Sequence, residues 1–260
     1  MKVAAVQHDI VWEDAVATID RLRPQVAAAA ATGARLVVLT EMFSVGFSMS
    51  PDRVGEPVDG PSATFLKTMA VEHGVWICGS VPTIPATGHK ARNRLSLFDP
   101  SGVGHHYDKI HPFSFAGEDA HYDAGQSFLT VDIEGLRTTF FVCYDLRFAD
   151  EFWQCAPTTD CFVVPANWPE VRRHHWQHLL VSRAIENQAY VVGVNRVGTG
   201  GGLAYSGDSR IVDPLGEILA GGARTEALLV AEVNAETVHE VRSRFRFMQD
   251  RRTHPLRMPD

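Results

Sequence analysis

Residues 138–148 read TTFFVCYDLRF and place Cys143 where an apolar run meets a polar one. The apolar run 138–142 predicts a buried strand, and the sequence from Asp145 onward is typical of the first turn of a helix. At such a turn the sulfur lies beside helix N–H groups that lack partners, and these groups and the helix dipole favour a thiolate. The sequence therefore predicts a reactive cysteine at a strand end.

A carboxylate and an ammonium group precede this cysteine in the chain, each after a strand-like run of its own. They are Glu41, within residues 39–43, and Lys109, at the end of residues 107–109. Amide hydrolysis needs a nucleophile, a proton carrier and a stabiliser for the tetrahedral oxyanion. In a cysteine hydrolase built this way, Cys143 attacks the carbonyl carbon, Glu41 moves the protons and Lys109 holds the oxyanion.

Two more groups are candidates for the same site. The backbone N–H of Tyr144 can assist Lys109 at the oxyanion, and Glu118 can orient Lys109 and the substrate. This chemistry requires no metal and no organic cofactor. His174 and His178 have the i,i+4 spacing of a metal pair, but the sequence offers no obvious third ligand, so a polar helix face is the favoured interpretation.

The composition is that of a globular protein from a reducing compartment. Of 260 residues, 45% are apolar and 21% are charged, and the net charge of −7 argues against a nucleic-acid or anionic-membrane surface. We expect no secretory signal and no membrane-spanning segment. The four cysteines form no Cys-x-x-Cys pair, which favours a cytoplasmic protein with reduced thiols.

Strand and helix signals alternate along the whole chain, and no linker divides it. Strands are predicted at residues 2–8, 35–40, 75–82, 95–98, 103–108, 128–133, 137–142, 160–165, 189–197, 208–212, 217–220 and 227–233. Helices are predicted at residues 13–32, 62–73, after Cys143, at 173–188 and at 234–246. The Gly-rich residues 198–202 are interpreted as a flexible loop and not as a phosphate cradle. We expect one α/β domain over residues 1–260, with packed layers of helix and mixed sheet.

The order of these motifs resembles the carbon–nitrogen hydrolase family, also called the nitrilase superfamily. The matching segments are residues 39–43, 107–113, 142–148 and 207–217. The resemblance implies a four-layer α-β-β-α sandwich with two mixed sheets. It also implies that Glu41 is the base, Lys109 the oxyanion lysine, Cys143 the nucleophile and Glu118 the second glutamate. Members usually form homodimers through the helix after the nucleophile and a C-terminal segment, which would be residues 234–260 here.

Within that family, residues 143–148, 166–169, 175–176 and 184–190 are similar to the omega-amidase branch. That similarity implies hydrolysis of the terminal amide of 2-oxoglutaramate or 2-oxosuccinamate through a cysteine thioester. Because such substrates carry a carboxylate, the site should hold a cation, and Arg147 is the first candidate; its alternative role is a structural salt bridge or helix cap. Candidates for the pocket walls are the aromatic residues Phe43, Phe115, Tyr144 and Trp168, with core packing the favoured interpretation for Phe43.

Two positions depart from the family pattern. Ile110 stands where relatives often carry Arg, and Ala149 stands where many carry Pro.

Three other activities use the same set of Glu41, Lys109 and Cys143: an amidase of deaminated glutathione, an N-carbamoyl amino-acid amidohydrolase and a nitrilase. From other classes, the alternatives are an acyltransferase that passes the thioester to an acceptor other than water, and a catalytically silent binding protein.

Overall fold

Two β-sheets packed face to face organise the computed structural model, which describes residues 1–86 and 89–252. The strands in this part of the chain are β1 (Lys2–Gln7), β2 (Leu36–Val38), β3 (Trp76–Thr83), β4 (Arg92–Phe98), β5 (Gly104–Asp108), β6 (Leu129–Ile133), β7 (Leu136–Phe140), β8 (Cys161–Ala166), β9 (Tyr190–Asn195), β10 (Val197–Gly200), β11 (Leu203–Val212), β12 (Ile218–Ala223) and β13 (Ala227–Glu232). The helices are α1 (Ala15–Ala31), α2 (Pro51–Val54), α3 (Pro61–His73), α4 (Glu118–His121), α5 (Ala149–Cys155), α6 (Arg173–Asn187) and α7 (Ala235–Arg244).

Both sheets are mixed and share one plan, with parallel strands in the centre and antiparallel strands outside. The first sheet has the order β13-β1-β2-β3-β4-β5, and β1, β2 and β3 are parallel. The second has the order β10-β11-β9-β8-β7-β6, with β12 paired to β11, and its parallel strands are β7, β8 and β9. Since parallel strands need crossovers, this plan brings the polar residues that follow them to one edge of each sheet.

The strand β1 shows why the inner residues of such a strand, here Val3–Val6, are apolar at every position. Val3 and Ala5 point into the core between the sheets, whereas Ala4 and Val6 pack in the core under the helices. Successive side chains of a strand point to opposite faces, so a strand covered on both faces needs apolar residues at every position. The continuous apolar runs seen in the sequence are thus explained by burial on both sides.

Helices cover the outer face of each sheet. Helices α1 and α3 pack on the first sheet, and α6 packs on β9 and β11 of the second, beside α5. Gly193 in β9 allows this close approach, because a Cβ there would lie 2.4 Å from Cδ2 of Leu180 in α6. The resulting order of layers is α-β-β-α, and the predicted four-layer sandwich with two mixed sheets is confirmed.

Two local predictions differ from the structure. The Gly-rich segment is not a flexible loop: β10 and β11 form a hairpin whose central residues, Gly201 and Gly202, have φ of 56° and 78°. Positive φ at both central positions is the two-residue hairpin turn that glycines favour. The helix expected after Cys143 is also divided into a short 3₁₀ turn, Cys143–Arg147, and α5, because Phe148 between them is extended.

The described part of the C-terminal segment packs on its own chain. Arg242 of α7 donates hydrogen bonds to the backbone oxygens of Thr159, Asn187 and Gln188, at 2.7, 3.0 and 3.1 Å. Residues 253–260, which belong to the segment predicted to dock on a partner subunit, lie outside the described residues. Among the helices described, none combines the length and the apolar character needed to span a bilayer.

Candidate active site

Cys143 lies three residues beyond the end of β7, in a left-handed backbone conformation with φ of 46°. For a residue with a Cβ this conformation costs roughly 1–2 kcal/mol. Val142 before it is extended, so the chain turns sharply at the cysteine and starts the 3₁₀ turn. Such strain at a nucleophile persists only where the surroundings hold the turn in place.

The buried carboxylate of Asp145 holds this turn. Its Oδ2 accepts hydrogen bonds from the backbone N–H of Val142 at 2.9 Å and from the hydroxyl of Tyr107 at 2.8 Å. Its Oδ1 lies 2.9 Å from the backbone N and 3.0 Å from Nδ1 of His111. The sequence had identified Asp145 only as a helix start. In the structure it connects the strand that leads to Lys109 with the turn that carries Cys143.

Glu41, Lys109 and Glu118 form a buried charged cluster beside the cysteine. Nζ of Lys109 donates to Oε1 of Glu41 and to Oε2 of Glu118, both at 2.8 Å. The side chains of all three residues are at most 1% exposed. Glu118 also accepts from the backbone N–H of Phe113 at 2.6 Å, which fixes the loop before α4. An ammonium group has three donors, so Lys109 keeps one for a further acceptor.

Two asparagines that the sequence analysis missed complete the cluster. Nδ2 of Asn93 lies 2.8 Å from Oε1 of Glu41 and 2.9 Å from Oε1 of Glu118, bridging the two carboxylates. The backbone N–H of Asn167 donates to Oε2 of Glu41 at 2.8 Å, and its side chain donates to the backbone oxygen of Glu41. Asn93 carried no signal in the sequence, because its β4 strand lies far from every quoted motif. Asn167 lay inside a quoted motif.

The electrostatics favour a protonated thiol and a charged lysine. Burial raises the pKa of the Cys143 thiol well above its ordinary value, the charge of Glu41 raises it further, and Lys109 opposes both. Burial disfavours the Lys109 ammonium, but the carboxylates of Glu118 and Glu41 outweigh it and raise the lysine pKa. Burial also raises the pKa of Glu118. The thiolate expected from the helix N–H groups is therefore not the resting form, because desolvation outweighs a short 3₁₀ turn.

A small, partly enclosed cavity opens onto the cysteine. Its walls are aromatic and apolar apart from the thiol, an asparagine and two guanidinium groups, and none of the described lining residues is a carboxylate. The lining residues are Phe47, Phe113, Ala116, Cys143, Tyr144, Arg147, Asn167, Trp168, Pro169, Arg172 and Leu203.

Three of the five predicted pocket residues line this cavity. Tyr144 and Trp168 form walls, and the guanidinium of Arg147 lies over the Trp168 ring at 4.6 Å. Phe43 is instead fully buried in the core under α1 and α3, 6.0 Å from the ring of Phe65. Phe43 thus packs in the core, the interpretation that the sequence favoured, and it is not a pocket wall, because it points to the helix face of the first sheet.

Phe115 is also misplaced by the sequence analysis, since its side chain is 85% exposed. The neighbouring Phe113 takes the wall position, with its ring 4.7 Å from that of Tyr144. The short turn Ser114–Ala116 rotates the two phenylalanines apart, and the sequence does not show which of them faces inward. Phe47 and Arg172 are further lining residues that the sequence analysis missed.

Metal-binding residues do not gather here. Within residues 1–86 and 89–252, no three His, Cys, Asp or Glu side chains are arranged to hold a metal ion. The rings of His174 and His178 lie 6.4 Å apart on α6. The arrangement around Cys143 thus offers a nucleophile, a carboxylate base and an ammonium group in one buried cluster, which is the set that acyl transfer from an amide requires.

Comparison with known proteins agrees with this geometry. The carbon–nitrogen hydrolase family model matches residues 2–243. The chain is 38% identical to the omega-amidase YafV of Escherichia coli (strain K12) over 253 residues, which cover 96% of each protein. It is 33% identical to the 2-oxoglutaramate amidase of Bacillus subtilis (strain 168) over 216 residues, 80% of this chain and 82% of that protein.

A solved structure shares the fold over nearly the whole chain. It is that of XC1258 from Xanthomonas campestris, a CN-hydrolase superfamily protein with an arsenic adduct in its active site. The two structures agree with a TM-score of 0.92 at 35% sequence identity, with 98% of both chains covered. The family resemblance noted in the sequence is confirmed, and the chain belongs to the carbon–nitrogen hydrolase family.

Proposed function

We propose that this protein is an omega-amidase, which hydrolyses the terminal amide of 2-oxoglutaramate or 2-oxosuccinamate to the dicarboxylic acid and ammonia. One observation carries the proposal: the cavity that exposes Cys143 also contains Arg147, whose charge no carboxylate in the described part of the chain neutralises. A small monoamide with a carboxylate at its other end fits both features. The omega-amidase and 2-oxoglutaramate amidase relatives support the same assignment.

The first half of the reaction forms a thioester. Glu41 takes the proton of the Cys143 thiol as the sulfur attacks the amide carbon, and the negative charge moves to the amide oxygen. The free N–H of Lys109 and the backbone N–H of Tyr144, which lies in the first turn of the 3₁₀ segment, stabilise that oxyanion. The tetrahedral intermediate collapses when Glu41 passes its proton to the nitrogen, and ammonia leaves.

The second half returns the enzyme to its resting state. Glu41 takes a proton from water, which attacks the thioester carbon, and the carbon–sulfur bond breaks with return of the proton to sulfur. The raised thiol pKa suits this cycle, since Cys143 is a neutral thiol before attack and again after release. Glu118 holds Lys109 at 2.8 Å throughout, so that the ammonium stays aimed at the oxyanion.

The substrate carboxylate is bound by Arg147 in this proposal. Its Nη2 lies 3.1 Å from Nδ1 of His175, and its guanidinium stacks on Trp168, which leaves its remaining N–H groups for a ligand. A charge-assisted hydrogen bond of this kind contributes about 1.5–3 kcal/mol. The stacked ring fixes the plane of the guanidinium and so the orientation of the bound acid.

We further propose a homodimeric, cytoplasmic enzyme. All four cysteines are free thiols, which suits a reducing compartment. Trp153 of α5 and Ile185 of α6 are 36% and 46% exposed on the outer layer that dimers of this family are expected to bury. Light scattering of the purified protein measures the mass directly, and a mass of one chain would contradict the dimer.

The activity is tested by ammonia release from 2-oxoglutaramate, glutamine, an N-carbamoyl amino acid and a simple nitrile. We expect fast turnover of the keto-amide and none by Cys143→Ala, with Cys155→Ala as a matched control that keeps activity. Turnover of another compound alone would keep the triad and overturn the omega-amidase assignment. Acyl transfer to an added amine without hydrolysis would show that water is not the natural acceptor.

A further inference from the structure

A second guanidinium, that of Arg172, lines the same cavity as Arg147. It belongs to the short turn Glu170–Arg172 and lies 5.4 Å above the ring of Phe113. Its position is fixed by the backbone, because the carbonyl of Arg172 accepts a 2.9 Å hydrogen bond from Nε1 of Trp168. The backbone of Arg172 is thus anchored to one aromatic wall of the cavity, and its side chain lies over another.

The acidic residues near Arg172 are already paired. Glu170, two residues earlier, forms a 2.8 Å ion pair with Arg224. The adjacent Arg173 forms an ion pair with Asp208, in which Nη2 lies 2.6 Å from Oδ1. In the described part of the chain, Arg172 itself has neither an ion-pair partner nor a side-chain hydrogen bond. A guanidinium that lines a cavity without a counter-charge is suited to meet an anion or a carbonyl oxygen from a ligand.

The two guanidiniums act on each other as well. Burial lowers the pKa of Arg147, and the neighbouring charge of Arg172 lowers it further. Two positive groups therefore share one cavity, and no carboxylate is among the part of its lining that the structure describes. Repulsion of this kind is relieved when a bound ligand supplies negative charge, and it is increased when the ligand brings a positive charge of its own.

We propose that Arg172 is a specificity-determining residue that selects 2-oxo acids over amino acids, by donating to the 2-oxo oxygen while Arg147 binds the carboxylate. This inference rests on the proposed omega-amidase function. A 2-oxo acid presents a carbonyl acceptor beside its carboxylate. Glutamine presents an ammonium group at the same carbon, and among the described lining residues that group meets two guanidinium cations and no carboxylate. The same arginine thus attracts one substrate and repels the other.

Three substrates distinguish this role of Arg172 from others. They are 2-oxoglutaramate, glutaramate and glutamine. Glutaramate keeps the carboxylate but has no 2-oxo group. For Arg172→Gln we expect kcat/KM on 2-oxoglutaramate to fall about 10- to 100-fold, the equivalent of one charge-assisted hydrogen bond. On glutaramate it should fall less than threefold, and on glutamine it should stay constant or rise. The ratio between the keto-amide and glutamine would then collapse by at least tenfold.

Matched variants distinguish a change in substrate specificity from a merely structural effect of the substitution. Arg23→Gln is the control, since Arg23 also lies over a phenylalanine ring, at 5.6 Å from Phe65, but on α1 outside the cavity. Arg172→Lys keeps the charge and should keep the rejection of glutamine. Equal loss on all three substrates, or an unchanged ratio in Arg172→Gln, would overturn the inference while leaving the omega-amidase assignment intact. A wild-type enzyme inert towards 2-oxoglutaramate would overturn both.

Discussion

Replacing Asp145 with Asn removes the acceptor that holds the turn at the nucleophile, with little change in side-chain shape. One oxygen becomes an NH₂ group and must face two donors. When this group takes the Oδ2 position, the Tyr107 hydroxyl there can reverse and accept. The backbone N–H of Val142 then loses its 2.9 Å acceptor inside the core.

The cost follows from these contacts. An unsatisfied buried N–H destabilises by about 1–3 kcal/mol, and the hydrogen bonds that remain lose a charged acceptor. We expect Asp145→Asn to lower the free energy of unfolding by about 3 kcal/mol in urea titrations followed by tryptophan fluorescence. Since the lost bond anchors the residue before Cys143, kcat should fall about 100-fold, as for an ångström-scale misplacement of a reacting group.

Asp150→Asn is the matched control, because Asp150 is exposed in the first turn of α5. Its cost should stay below about 1 kcal/mol, the usual size of a helix-dipole contribution. If Asp145→Asn changes the free energy of unfolding by less than this control, with kcat within twofold of wild type, the turn is held by other contacts and the reasoning is refuted.

Two other buried groups give measurable effects. Glu118→Gln, which withdraws the carboxylate that holds Lys109, should lower kcat about 100-fold in the ammonia assay, while Glu151→Gln should have little effect; equal rates in both would exclude a role for the Glu118 charge. Burial lowers the pKa of His8 to about 4 from the ordinary 6.5, so the unfolded chain takes up this proton first as the pH falls. Stability from this residue is complete above pH 6.5 and is lost towards pH 4, about 3 kcal/mol in all, and His8→Gln should flatten that pH dependence of urea unfolding.

The local sequence was sufficient to predict those elements in which a single physical requirement, such as burial on both faces, determines the residue type. Residues Val3–Val6 of β1 and all of β8 are apolar because both of their faces are covered, so their strands could be predicted without a partner. Glu41, Lys109 and Cys143 could be grouped as candidates because each follows a strand, and ligands of open α/β sheets bind beyond the carboxyl ends of the strands.

Long-range contacts account for what sequence reasoning missed. Asn93 reaches Glu41 across 52 positions in the chain, and no local pattern announces that contact. Phe113 and Phe115 have the same chemistry, and only the turn between them decides which one faces the cavity. The resting protonation of Cys143 was missed for a similar reason, because desolvation depends on the whole surroundings and not on the adjacent turn.

The two sheets supply different parts of the proposed catalytic cluster. Glu41 and Lys109 follow strands of the first sheet, whereas Cys143 and Asn167 follow strands of the second. Neither sheet by itself carries both the proposed nucleophile, Cys143, and its proposed base, Glu41. The reaction therefore requires the two sheets to be packed together in their native arrangement. A loosened state with intact strands and helices but fluid packing would keep its far-ultraviolet circular dichroism and release no ammonia. The rate of ammonia release is thus a measure of native packing between the two sheets.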